Sequence, residues 1–117
     1  NKVREVIAYE NHFEDFLLRQ EKKVQDKIFK VIEIIETYEQ VPSQYLKSII
    51  GTKGLYKARA KLGSNIWRVF CFFYKGKLVI LLNWFQKKSQ KTPSKEIKKA
   101  EKLMKQYYQE KNKNYEN

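Results

Sequence analysis

No carboxylate occurs between Glu39 and Glu96. The gap runs from Gln40 to Lys95, 56 residues that hold twelve Lys and Arg together with both tryptophans, Trp67 and Trp84. This absence excludes a class of chemistry: nothing in the stretch can offer an Asp or Glu to Mg2+ or act as a carboxylate base. What remains, cations interleaved with rings, suits a polyanion, since cations meet phosphates and rings stack on bases. Other scarcities narrow the reading further. One cysteine, Cys71, rules out an internal disulfide, and with one histidine, His12, it builds neither a zinc site nor a Cys–His pair. No metal and no cofactor are expected. Cys71 lies in Phe70-Cys71-Phe72-Phe73 and reads as a small core residue, and His12 as a surface residue at a helix start. Apolar runs such as Leu78–Leu82 fall far short of the roughly 20 residues of a membrane span. Arg4 and Glu5 interrupt the first apolar residues, so no secretory leader is visible and a cytoplasmic location without membrane contact is expected.

Charge is unevenly divided along the chain. Residues 1–50 carry eight Lys/Arg against nine Asp/Glu, whereas residues 51–117 carry seventeen against four; the whole is +12. One half is a near-neutral scaffold and the other a cationic face, which points to nucleic acid, an anionic membrane or an acidic protein partner, the short apolar runs weighing against the membrane. With 117 residues, 42% hydrophobic and 15% aromatic, the chain is long enough to bury a core without crosslinks, as one domain over residues 1–110 with a frayed tail at 111–117.

Val3 to Tyr9 reads as a short strand. From Asn11 to Gln40 the apolar period is helical: Phe13, Phe16 and Leu17, then, after a break near Gln20–Lys22, Val24, Ile28, Val31, Ile32 and Ile35. The two prolines fall where helices stop or start: Val41-Pro42-Ser43 ends the second helix, and Thr92-Pro93 opens a third with Thr92 as N-cap. Between them lie strands at Leu55–Leu62, Ile66–Tyr74 and Leu78–Phe85, joined by tight turns at Gly63-Ser64-Asn65 and Lys75-Gly76, so antiparallel hairpins are expected. Ile97, Ala100, Leu103, Met104, Tyr107 and Tyr108 form the apolar stripe of the last helix. The order β-α-α-β-β-β-α gives an α+β fold: an antiparallel sheet with the N-terminal helical hairpin packed on one face, and a C-terminal helix.

Alternation places Lys57, Arg59 and Lys61 on one face of the first hairpin strand, opposite Tyr56, Ala58, Ala60 and Leu62. Such a row is ordinarily a solvated face. Here no acid on the neighbouring strands offsets it. Arg68 is the one charge inside a nearly continuous apolar strand, and its planar fork matches two phosphate oxygens. Beyond the last strand come Lys87, Lys88 and Lys91, then a helix N-terminus that adds free N–H groups.

Leu55-Tyr56-Lys57-Ala58-Arg59, Trp67-Arg68-Val69-Phe70 and Phe85-Gln86-Lys87-Lys88-Ser89-Gln90-Lys91-Thr92-Pro93, in that order, resemble the RelE/HigB superfamily of type II toxin–antitoxin toxins, in particular its phage-derived HigB-like branch. The resemblance runs from the first strand to about Tyr108. It implies a RelE-like fold and a ribosome-dependent mRNA endoribonuclease that needs no metal, in which the RNA 2′-OH attacks the adjacent phosphate. It implies Lys57, Arg59, Arg68, Lys87 and Lys88 as catalytic residues, and Lys61, Trp84, Lys91 and Lys95 as RNA-binding residues. The implied partners are the ribosome with its mRNA and a cognate antitoxin with a helix-turn-helix portion; operator DNA is bound only through the antitoxin complex.

The chain departs from many relatives in having no Tyr, His or Asp between Gln86 and Gln106, where a general base is usual. Lys57 can take that role if neighbouring cations favour its neutral amine. Two alternatives stay open: a ParE-like inhibitor of DNA gyrase that cuts no RNA, and a nucleic-acid-binding accessory protein.

Overall fold

The computed structural model describes residues 1–80, 85–86 and 94–116. The elements are β1 (Glu5–Ala8), α1 (His12–Leu18), α2 (Lys22–Thr37), β2 (Leu46–Ser48), β3 (Leu55–Leu62), β4 (Asn65–Tyr74), β5 (Lys77–Ile80), β6 (Phe85–Gln86) and α3 (Ser94–Glu116). The α+β class and the expected order hold, with a three-residue strand, β2, added before the meander. The strand expected at Leu78–Phe85 is described as β5 and β6; Thr92 and Pro93 lie outside the described residues. Helix α3 continues past Lys111.

One sheet is ordered β1-β5-β4-β3-β2, with β6 also pairing β4. The hairpins β3–β4 and β4–β5 are antiparallel, as their turns require. Lys75 and Gly76 both take positive φ, +49° and +81°, the pattern of a type I′ turn whose twist matches the strands it joins. Strand β1 adds to β5 in parallel, Glu5 beside Lys77 through Ala8 beside Ile80. Parallel neighbours need a long crossover. Here the helical hairpin and the meander together supply it.

Helices cover both faces of the sheet. Val24, Ile28, Val31 and Ile35, one stripe of α2, are buried with Phe16 of α1 against Ala58, Ala60, Trp67, Val69 and Cys71. Gln25 ties the two helices together: its side-chain nitrogen donates to the Leu17 carbonyl, 2.8 Å, and to that of Gln20, 3.2 Å, satisfying groups that α1's end leaves open. Arg4 does the same for α2, donating to the carbonyls of Ile35, Tyr38 and Glu39, where a cation also complements the helix dipole. On the opposite face α3 buries Ala100, Met104 and Tyr107 against Leu55, Phe70, Phe72 and Tyr9. Tyr107 meets Tyr9, Phe72 and Tyr74 edge-on, with ring centroids 5.2–5.4 Å apart. The Tyr9 hydroxyl donates to Glu110 across 2.8 Å. Burial and that carboxylate together push its pKa up to about 12.

Candidate nucleic-acid interface

Lysine and arginine alternate with alanine along β3, so every second side chain points away from the α2 core. The register then sets the site. Strand β2 places Lys47 directly opposite Lys57, and β4 places Arg68 directly opposite Arg59. Two like-charged cross-strand pairs therefore sit side by side on one face of three adjacent strands. Like charges in this position destabilise a sheet. The Arg59 N–H donates outward to the Tyr45 carbonyl, 2.9 Å, which makes Arg59–Arg68 a pair without mutual backbone bonds. Such pairs hold their side chains at the closer of the two cross-strand spacings.

All four cations line one cleft of about 290 Å³, together with Ser43 and Gln44. No carboxylate is among its lining residues. Elsewhere cations do find acids: Lys2 with Glu36, Lys22 with Asp26 and Lys77 with Glu5. Arg68 is 8% exposed, the one charged residue among the buried side chains described. Its pKa is lowered, first by burial and then by the charge of Arg59. The Nε of Arg59 is buried and has no hydrogen-bond partner among the described residues. A buried donor without an acceptor costs about 1–3 kcal/mol. The cleft thus gathers four cations, and Arg59 Nε is a buried donor there without an acceptor among the described residues.

Of the residues the sequence singled out, Lys57, Arg59 and Arg68 converge here. Lys61, two positions beyond Arg59, lines an adjoining cleft that also contains Arg59. Lys95 stands exposed in the first turn of α3 and is not among the residues lining either cleft. Trp84, Lys87, Lys88 and Lys91 lie outside the described residues. Between them, β6 sets Phe85 beside Arg68 and Gln86 beside Trp67. Sequence reasoning missed Lys47, Ser43 and Gln44. Tyr45-Leu46-Lys47-Ser48, between Pro42 and Gly51, shows no apolar–polar alternation that would mark β2. Cys71 is fully buried, its thiol donating to the Tyr56 carbonyl at 3.6 Å, and burial pushes its pKa up. It is a core residue without nucleophilic character.

The family model for phage-derived Gp49-like proteins matches residues 15–105. The chain belongs to this family. It is a RelE-like, toxin-like family, in keeping with the RelE-like part of the resemblance drawn from the strand and loop motifs. Every residue of the cationic cleft falls within the matched span, whereas Tyr9 and Tyr107 fall outside it. Searches of curated proteins and of solved structures find no match. Among the described residues no group of three or more His, Cys, Asp or Glu could hold a metal ion, and no helix is long and apolar enough to cross a membrane.

Proposed function

We propose that the protein is the toxin of a type II toxin–antitoxin pair and an endoribonuclease that cuts mRNA on the ribosome. The observation that carries this reading is the Arg59–Arg68 pair: two guanidinium groups opposite each other, one of them buried, in a cleft lined by two lysines and no acid. Such a pair suits a phosphate that gains negative charge as it becomes five-coordinate. Donors fixed before the reaction, in a place poor in water, stabilise that charge most effectively.

The chemistry follows in balanced steps. The 2′-oxygen bonds to phosphorus as its proton passes to a base, and the bond from phosphorus to the 5′-oxygen breaks. That oxygen takes a proton from solvent as it leaves as a 5′-hydroxyl, and a 2′,3′-cyclic phosphate remains. Lys57, flanked by Lys47 and Arg59, is the proposed proton acceptor. Arg59 and Arg68 hold the phosphate oxygens, and Lys47 and Lys87 or Lys88 steer the strand. A Lys57→Ala variant that cleaves at the parental rate would remove Lys57 from this role. The antitoxin is proposed to cover the cleft with an acidic segment and to carry the operator-binding helix-turn-helix.

Primer extension on a translated message after induction tests the reading. Cuts phased with codons, lost in Arg68→Ala, are the expected result. The absence of a Tyr, His or Asp between Gln86 and Gln106 favours one competitor, a ParE-like protein that poisons gyrase. Intact mRNA with damaged DNA would establish that competitor instead.

A further inference from the structure

The cleft at Arg59 does not end there. Arg59 and Gln44 also line a second cleft of about 440 Å³, whose other walls are Lys27, Tyr45, Lys61 and Gly63. Its volume lies within the ~300–1,000 Å³ range of pockets that enclose small ligands. A strand seated in the first cleft and leaving over Arg59 would enter this one.

Its lining repeats the chemistry of the first cleft and adds a ring. Lys27, Arg59 and Lys61 supply three cations, with no carboxylate among the residues lining it. Lys27 comes from α2, where it flanks the buried stripe of Val24, Ile28 and Val31 and is itself half-buried. No Asp or Glu stands three or four residues from it on the helix, in contrast to Lys22, whose charge is met by Asp26. Tyr45 packs against the core below and faces the cleft above. Its carbonyl accepts from the Arg59 N–H, so the two residues' main chains are held side by side at the cleft. Past Gly63 the next cleft contains Glu21, and the acid-free track stops.

We propose that this second cleft is a subsite for the neighbouring nucleotide of single-stranded RNA, with its phosphate between Lys27 and Lys61 and its base on the Tyr45 ring. The subsite rests on the RNA reading above and extends it: the protein grips the strand beyond the scissile phosphate, by stacking, which tolerates any base.

The test uses a short 2′-O-methyl oligouridylate, which cannot be cut through its 2′-oxygen, and an abasic backbone of the same length. Affinities are measured by fluorescence anisotropy, with far-UV circular dichroism to verify folding. Tyr45→Leu keeps an apolar side chain against the core but removes the ring. It should weaken oligouridylate binding roughly tenfold and leave the abasic backbone unaffected. Tyr45→Phe should bind both like the parent. Lys27→Gln should weaken both and shallow the salt dependence by about 0.7 in logarithmic slope. Tyr45→Leu that folds and weakens both probes equally, or neither, overturns the subsite while leaving the RNA reading intact. An oligoglutamate that binds as tightly as oligouridylate and suffers equally from Tyr45→Leu assigns the cleft to an acidic protein segment, and overturns it too. If the unaltered protein binds neither oligonucleotide, the RNA reading falls and the subsite with it.

Discussion

Strands β3 and β4 present two contrasting regions on a single sheet face. At one end Leu55, Phe70 and Phe72 lie under α3 and pack against Met104 and Tyr107. At the other, two residues along each strand, Lys57, Arg59 and Arg68 line a cleft with no apolar side chain among its described lining residues. The first end follows the ordinary rule that burial of apolar area stabilises a fold. The second breaks the rule against like charges facing each other, and does so twice. A sheet that satisfies the first rule this fully has no structural need of the second arrangement. The difference teaches where to look for function: consistency fails locally, at the cationic end, where the proposed ligand would bind.

Breaking the apolar end should have the largest effect on stability. Phe72, 1% exposed beneath Tyr107, should cost about 3–5 kcal/mol when changed to Ala, read from the midpoint of urea unfolding. Next comes Arg68→Ala, which should lower cleavage of translated mRNA about 100- to 1,000-fold, as loss of a transition-state donor does. Lys47→Gln sharpens the comparison at smaller scale: RNA affinity should fall and its logarithmic salt slope shallow by about 0.7, with a small gain in stability as Lys57 loses the like charge facing it. The smallest effect concerns the phenol at the apolar end. The raised pKa of Tyr9 means that its folded-state contribution is fully present below its unfolded value of 10.0 and is lost as pH rises through about 12. Tyr9→Phe should therefore flatten the decline of stability between pH 10 and about 12 in alkaline denaturation curves.

Much of this contrast is legible in the sequence, and the parts that are not have physical reasons. Strand β3 falls at Leu55–Leu62 as expected because Lys and Arg alternate with Ala, a period no helix shares. The break between α1 and α2 is readable because the apolar repeat loses phase at Gln20. The covering of both sheet faces is not: β4 is apolar on both sides, yet a continuous run does not say which helix lies on which face. The parallel seating of β1 beside β5 depends on partners far apart in sequence. Lys47 escaped notice because a three-residue strand carries too little pattern to stand out from a loop. The opposition of Arg59 and Arg68 required the register, which the two-residue turn at Gly63-Ser64 fixes; Gly63 adopts φ +63° there, as a type II′ turn asks of its first residue.

The central claim is that the cationic end is kept against the interest of the fold because it holds a phosphodiester. Arg59→Met tests it most directly, since it retains the side chain's length while removing one of the facing charges and its buried Nε, which has no partner among the described residues. Urea unfolding and cleavage of translated mRNA are measured on the same preparation. The account predicts a gain of about 1 kcal/mol in stability together with loss of cleavage. A variant that loses stability, or one that cleaves as the parent does, would contradict it.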